Sequence, residues 1–329
     1  MPATLGISIM ICCYNSEKRI VPTLQHLSKL KTDGIAVEII LVNNASTDDT
    51  EMVARQAWAA LHCDYDFKII DQPVPGVMAA REKGIETARY DYVLFCDDDN
   101  WLNEHYLLYA REVIKAHPNV GVIAGRAIGE YEVEPEHWFL GCTGLLSIGP
   151  QANESGVVNK PVYGAGCIID KQKYKALLAS GFQWSLSGRK GKSLVSGEDT
   201  ELCIAYLIAG YDIYYEEKMG FRHFMPIKRM QKDYLKKLCL SGVHSAIVLA
   251  MYNYDAGWGY KEVVRHLKKR YRAYVPYYLP RVFLGRYKFR AYLSFRVAVK
   301  ALTILKNNLL TDEFRVVQHN LQVLTSKKK

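Results

Sequence analysis

Three consecutive carboxylates, Asp97, Asp98 and Asp99, follow directly on the apolar run Tyr92 to Cys96. Carboxylates this close repel one another and are costly to hold together unless a cation or hydrogen-bond donor offsets them. A divalent ion would do so: oxygen ligands favour Mg²⁺ or Mn²⁺, which commonly bridge carboxylates to a substrate diphosphate. A solvated acidic turn explains the same run, because acidic residues also favour the N-terminus of a following helix. A second acidic group, Glu198, Asp199 and Glu201, opens an apolar helical pattern. One of its carboxylates suits general-base chemistry if a hydroxyl comes within hydrogen-bond reach. Helix capping is the other reading, with Asp199 on the first free amides and Glu201 favouring the dipole. His223, between Arg222 and Phe224, reads as a metal ligand or as a structural histidine near an apolar strand.

The elements that must position these residues alternate. Ile7 to Cys13, Ala36 to Val42, Phe67 to Ile70 and Tyr92 to Cys96 read as strands. Between them lie helical patterns over Ser16 to Leu30, from Ser46 with Asp49 three residues on, and over Val77 to Ala88. Strand-helix alternation with short connections predicts a parallel α/β sheet, whose ligand sites lie at the carboxyl ends of its strands. Those ends carry Tyr14 and Asn15, Asn43 and Asn44, and Asp97 to Asp99. Glu104 to Ala116 reads as a helix, Val120 to Ala124 as a strand, and residues 127–165 as loops and short strands. Asp199 to Ala209 reads as a helix that Gly210 can cap. Beyond Pro226 the pattern becomes helical and basic.

With 329 residues, 49% of them apolar, the chain is long enough for one large core or a core with an appendage, which excludes a disordered or fibrous protein. Its net charge of +9 is unevenly placed. From Lys218 onward there are 24 basic and 5 acidic residues, or +19; the first 217 residues hold the remaining 19 basic and 29 acidic residues, or −10. An acidic front and a basic tail point to different partners. The eight cysteines show no metal-ligand spacing, and most sit in apolar runs, which fits buried free thiols in a reducing cytoplasm. The N-terminal apolar run has no basic segment before it and is too short for a signal peptide. Leu238 to Met251 is too short, and Ala291 to Leu305 is interrupted by Arg296 and Lys300, so neither reads as a transmembrane helix.

In this order the pieces resemble the family 2 glycosyltransferases, inverting enzymes of the GT-A fold that use nucleotide sugars. The matching segments are Ile7 to Asn15, Ile40 to Asp48, Gly76 through Arg81 to Gly84, Asp91 to Asp99, Gly164-Ala165-Gly166, Gly197 to Cys203, and a His after the next strand. The resemblance spans roughly residues 6–226. It implies a GT-A α/β catalytic domain over 1–226 and a basic, mainly helical extension over 227–329. It also implies donor-binding roles for Cys13, Tyr14, Asn15, Glu17, Asn43, Arg81, Asp97, Asp98 and Gly166. Asp99, His223 and Asp97 would hold a divalent metal, Mn²⁺ or Mg²⁺. Asp199, with Glu198 as second choice, would take the proton of the acceptor hydroxyl in a single inverting displacement. Most relatives place an Asp after the second strand to hold uracil. Asn43 removes that charge but keeps a donor and an acceptor. A UDP-sugar donor is favoured, with GDP and dTDP open.

Other features divide between readings. Trp184 to Ser196, rich in Gly, Ser and Lys, suits a loop that orders over bound donor, with protection of Gly188 to Lys192 from proteolysis as its mark, or a solvated surface loop. In the tail, Lys268, Lys269, Arg270 and Arg272 precede several tyrosines, and Arg286, Arg290, Arg296 and Lys300 fall within an arc of about 120° on a helix. Peripheral contact with anionic membrane, where a glycan or lipid-linked acceptor would be at hand, competes with helices packed on the catalytic domain. No nucleic-acid motif accompanies the charge. The expected setting is cell-surface polysaccharide or lipopolysaccharide assembly, in the cytoplasm or on the cytoplasmic face of the inner membrane. A sugar-1-phosphate nucleotidyltransferase and a non-catalytic membrane-surface scaffold are the alternatives. The first usually begins with a glycine-rich phosphate loop, and Cys12 to Ser16 has no glycine.

Overall fold

The first strand, β1 (Gly6–Cys13), is buried along almost its whole length, and its two faces feed different cores. Ile7, Ile9, Ile11 and Cys13 enter one, and Met10 the other. Burial on both faces is why the strand reads as a continuous apolar run rather than an alternating one. The computed structural model describes residues 5–188, 196–284, 288–307 and 310–325.

After β1 come α1 (Ile20–Leu27), β2 (Ala36–Asn43), α2 (Thr50–Ala60), β3 (Asp66–Asp71), α3 (Val77–Thr87) and β4 (Tyr92–Asp97). They are followed by β5 (Asn100–Leu102), α4 (Tyr106–Ala116), β6 (Val120–Tyr131), the single turn α5 (His137–Leu140), β7 (Gly156–Val158) and β8 (Ile168–Asp170). Helices α6 (Lys171–Ala179) and α7 (Glu198–Ile208) then lead to the long β9 (Asp212–Met225). The strands form one sheet in the order 3-2-1-4-8-6-9-5, with β7 also on β9. β1 to β4 pair in parallel, as do β6 and β9, while β8 and β5 run antiparallel to their neighbours. The strand order reverses at β1, which lies between β2 and β4, so a crevice opens at the carboxyl ends there. The mixed α/β architecture with a mostly parallel sheet and a helical C-terminal region matches the expectation.

Several boundaries differ from the sequence reading for local reasons. The second helix starts at Thr50, not Ser46. Ser46 instead accepts the Asn15 amide at 3.1 Å, tying the loop after β2 to the loop after β1. The first helix starts at Ile20 because Ser16 is engaged elsewhere: its amide donates to Thr50 Oγ1 at 2.7 Å and its hydroxyl to Asp98. The strand expected to end at Ala124 continues to Tyr131 along β9. All eight cysteines are free, and burial pushes the Cys12 and Cys203 thiols up to about 12, so neither is a ready nucleophile.

The C-terminal region comprises α8 (Lys232–Ser241), α9 (Val243–Met251), α10 (Tyr260–Leu284), α11 (Lys288–Lys306) and α12 (Thr311–Thr325). These helices share cores with the sheet region. Leu324 of α12 is buried with Val42 and Tyr206, and Leu293 of α11 with Phe139 and Met225. Residues Lys232–Met251 reach the length and mean hydropathy, 1.2, of a membrane-crossing helix, although the sequence reading found no such stretch. The segment turns at Gly242, and Leu235, Leu238, Val243, Ile247 and Met251 are buried inside the protein. Three members of the basic arc expected on α11 make hydrogen bonds to the protein. Arg290 donates to the Gly141 carbonyl at 3.1 Å, Arg296 to the Tyr292 hydroxyl at 2.9 Å and Lys300 to the Leu240 carbonyl at 2.8 Å. Arg286, the fourth member, lies outside the described residues, as do residues 189–195 of the expected donor-ordered loop.

Candidate active site

The loop after β1 presents Tyr14, which is 47% exposed, and Asn15, which adopts a positive φ of 51°. Asn15 Oδ1 accepts the Thr47 amide at 2.8 Å, and Glu17 Oε2 accepts the Asp49 amide at 3.3 Å. Both residues therefore hold the start of α2 against β1. Cys13 is fully buried, so its thiol faces the core rather than the crevice. Asn44, placed at the strand ends by the sequence but given no role there, is the staple of this edge. Its amide donates to the Gln72 and Val74 carbonyls at 3.0 and 2.7 Å, and its oxygen accepts from Gly76 at 2.8 Å. This fixes the loop that launches α3. Asn43, one residue earlier, donates to Asp71 Oδ1 at 3.1 Å, while its own Oδ1 is buried without a hydrogen-bond partner among the described residues. Asp71 thus places a carboxylate beside Asn43 from the neighbouring strand end.

At the ends of β4 and β5 the three aspartates diverge. Asp98 is buried and pairs with Arg19 at 2.6 Å, accepting also from Ser16. Burial and the neighbouring Asp99 raise its carboxyl against the pull of Arg19. Asp99 is 2% exposed and sits between Arg229, whose Nη1 is 2.9 Å from Oδ2, and His223, whose Nε2 is 3.4 Å from Oδ1. Burial would raise the Asp99 carboxyl, but Arg229, His223 and Arg19 outweigh it and hold it below the ordinary range. Asn100 pairs with His223 across the antiparallel β5–β9 ladder, and Trp101 stacks between His26 and Phe224 at 5.6 and 5.5 Å, which locks this corner. The sequence reading left Arg19 and Arg229 out of the site. Two guanidinium groups supply much of the positive charge that the acidic run was expected to take from a metal.

The donor set still fits a divalent ion in part. Asp99 Oδ1 and His223 Nε2 lie side by side, and His223 Nδ1 is buried without a hydrogen-bond partner among the described residues. Asp97 does not complete a cluster: among the described residues no three His, Cys, Asp or Glu groups form a metal site. Any ion here would take its remaining ligands from substrate oxygens and water.

Across the crevice, Arg81 of α3 is buried over the Phe95 ring, 5.0 Å from its centroid, with Nη1 3.3 Å from Glu198 Oε1. Burial alone would lower the guanidinium, but Glu198, Asp199 and Asp97 together hold it above its ordinary value. Arg81 therefore stays cationic between the two acidic groups. Asp199 accepts the Gly164 amide at 2.9 Å and the Thr200 amide at 2.8 Å. It does not cap α7, because the N-cap position is Gly197. Gly164 is needed for this approach: a Cβ there would lie 2.8 Å from Asp199 Cβ and 3.2 Å from Arg81 Nη2. Gly166, at φ 72°, turns the backbone beneath them, where a Cβ would meet Phe221 at 2.6 Å.

The chain's order of strands, helices and site residues can be compared with known proteins. The profile described as Glycosyl transferase family 2 matches residues 8–168, from β1 through the acidic turn to β8. Residues 8–168 therefore resemble a glycosyltransferase family 2 domain. Among curated relatives, EpsH of Bacillus subtilis, which carries a glycosyltransferase name, is 37% identical over 103 residues, 31% of this chain and 28% of its own. The poly-beta-1,6-N-acetyl-D-glucosamine synthase of Staphylococcus epidermidis is 31% identical over 121 residues, 36% of this chain and 28% of its own. The chain thus spans little more than a quarter of these relatives. The crystal structure of Staphylococcus aureus TarS 1-349 in complex with UDP-GlcNAc superposes with a TM-score of 0.54 at 15% identity, covering 98% of this chain and 91% of that one. The likeness is one of fold.

Beyond the matched residues, the sheet region is joined to the C-terminal helices by a buried polar hub that the sequence reading missed. Glu201, read as a dipole partner, is fully buried. Its Oε1 accepts from the Ser185 amide at 3.0 Å, the Ser185 hydroxyl and the Tyr252 hydroxyl at 2.7 Å, and its Oε2 from the Leu186 amide at 3.1 Å. Asn320 of α12 donates to the same Tyr252 hydroxyl at 2.7 Å and to the Gln183 carbonyl at 2.7 Å. Burial raises the Glu201 carboxyl against these donors. The turn of α7 that bears Asp199 is thereby anchored to α9, α12 and the 183–186 loop. The sequence signal was faint: a Glu two residues after Asp199 at an apolar helix start.

Proposed function

We propose that this protein is an inverting glycosyltransferase that moves a sugar from a nucleotide-diphosphate donor, preferably a UDP-sugar, to a hydroxyl of a glycan or lipid-linked acceptor. The observation that carries the reading is the convergence of Asp97, Arg81 and Asp199 at the carboxyl edge of a family 2 domain. In this scheme Tyr14, Asn15 and Asn43 line the base and ribose, and Arg81 faces the diphosphate. Asp199, held by two backbone amides, takes the proton of the acceptor hydroxyl as its oxygen attacks the anomeric carbon from the face opposite the leaving group. One displacement inverts that carbon. A divalent ion bound at Asp99 and His223 would add positive charge at the departing diphosphate. Arg81 stabilises the same charge from the protein side. We take residues 1–226 as the catalytic unit and 227–329 as its helical extension, at work in cell-surface polysaccharide assembly on the cytoplasmic face of a membrane.

A thermal-shift series with UDP, GDP and dTDP, each with and without Mn²⁺, tests the reading. The expected result is the largest rise in Tm with UDP and Mn²⁺, and sugar transfer or sugar-nucleotide hydrolysis under the same conditions. Absence of a shift with every nucleotide would overturn it.

A further inference from the structure

The longest helix, α10, buries Val263, Val264, Leu267 and Tyr271 against the third core and leaves the opposite side exposed. On a helix turning about 100° per residue, Arg265, Lys268, Lys269, Arg272, Pro276, Leu279 and Phe283 fall within an arc of about 100°. That stripe changes character along its length. Its first half is basic, and its last turns are apolar. At the end, Phe283 is 67% exposed and Leu284 87%, with Tyr277 and Leu279 also exposed. Arg281 lies over the Tyr277 ring at 3.7 Å, so a cation and an aromatic face share the tip. From Lys261 to Lys306 the sequence holds 13 basic residues and one acidic residue, Glu262. Charge of one sign with large apolar side chains at its end matches a surface where anionic headgroups cover hydrocarbon.

We infer that α10 is the membrane-docking element of this protein, entering an anionic bilayer obliquely. Tyr277, Leu279, Phe283 and Leu284 reach below the headgroups, while Arg265, Lys268, Lys269 and Arg272 lie along them. Interfacial anchoring combines buried apolar area with attraction to anionic lipid, and each basic residue near the surface is worth about fivefold in partition. This sharpens the peripheral-membrane reading and does not depend on the glycosyltransferase chemistry.

The test is sedimentation of the full-length protein with phosphatidylcholine vesicles that contain or lack about 30 mol% phosphatidylserine, at low salt and at about 0.5 M NaCl. Binding to the anionic vesicles at low salt, reduced at high salt, is expected. Phe283→Ser with Leu284→Ser should weaken it at least tenfold, and Lys269→Gln with Arg272→Gln about 25-fold. A Leu284→Trp variant should gain a blue-shifted emission component on vesicles that brominated lipid quenches. The inference is overturned by no sedimentation at low salt, by wild-type sedimentation of both double variants, by unquenched Trp emission, or by burial of the tip in a lipid-free dimer. UDP-induced Tm shifts that are unchanged in these variants keep the outcome separate from that of the catalytic reading.

Discussion

The two acidic groups that flank the crevice are held in opposite ways. At the end of β4 the buried carboxylates are given cations: Arg19 for Asp98, Arg229 and His223 for Asp99. At the start of α7, Glu198 meets Arg81, but Asp199 rests on two backbone amides and Glu201 on neutral donors. A carboxylate clasped by a guanidinium is fixed in charge and place, whereas Asp199 accepts one neutral amide on each oxygen and keeps a further lone pair on each for a reacting hydroxyl. The first group is held by charge, and the second mainly by neutral donors, as suits the general base proposed for Asp199.

The sharpest way to break that contrast is Asp199→Asn. It keeps the size of the side chain and an acceptor for one of the two amides but removes the proton acceptor. We expect kcat to fall about 10²- to 10⁴-fold, the range for a positioned general base, with donor affinity within about twofold of wild type. Glu198→Gln should cost about tenfold and act mainly on donor KM, because its partner Arg81 is the residue proposed to face the diphosphate. The reverse ranking would transfer the base to Glu198.

Arg229→Gln tests the other side of the contrast. Removing one partner of a buried ion pair leaves Asp99 without its nearest cation, for an expected loss of about 2–3 kcal/mol once partial exposure of the arginine is discounted. The pH dependence has a definite sign. Asp99 is held below its ordinary value, so its stabilising contribution is present above about 3.9, the unfolded carboxyl value, and is lost as pH falls through the depressed folded value. In Arg229→Gln the folded value rises, and the acid limb of the Tm profile should move to higher pH. A limb unchanged from wild type would mean that His223 and Arg19 suffice.

Tyr252→Phe asks whether the helical extension serves the catalytic turn. The change keeps the ring but leaves Glu201 and Asn320 each short of a buried partner, at an expected cost of about 1–3 kcal/mol. If the hub positions Asp199, kcat should fall several-fold with donor KM unchanged. Loss of stability alone would reduce it to a fold element.

How far the sequence revealed these arrangements depended on how local their causes are. β1 to β4 were legible because strands buried on both faces must be apolar runs, and the short connections left little choice of topology. Asp97, Asp99, Asp199 and Arg81 were visible through motif order. Ser46 misled, because its hydroxyl answers an amide 31 residues away rather than its own helix. Arg19, Arg229 and Glu201 escaped because their partners are 79, 130 and up to 51 positions distant, and nothing in their immediate neighbours marks such pairings. The basic tail was legible as charge but not as a face. Only the packing shows which side of α10 is buried and leaves Arg265, Lys269 and Arg272 on its exposed side.

A carboxylate outside both groups gives the smallest and most selective test. Asn43 removes the charge that the family resemblance leads one to expect after the second strand, yet its amide donates to Asp71, so a carboxylate stands one strand over. The imide N–H of a uracil or thymine base needs an acceptor, which the exposed Asp71 can provide, or Asn43 Oδ1 if that buried oxygen turns outward. If Asp71 reads the base, Asp71→Asn should weaken UDP binding about fivefold to tenfold in calorimetry, with little change in Tm because the residue is exposed. The double variant Asn43→Asp with Asp71→Asn exchanges carboxylate and amide between the two strand ends and should recover most of the affinity. Wild-type UDP binding by Asp71→Asn, with loss in Asn43→Ala, would assign the base edge to the amide alone.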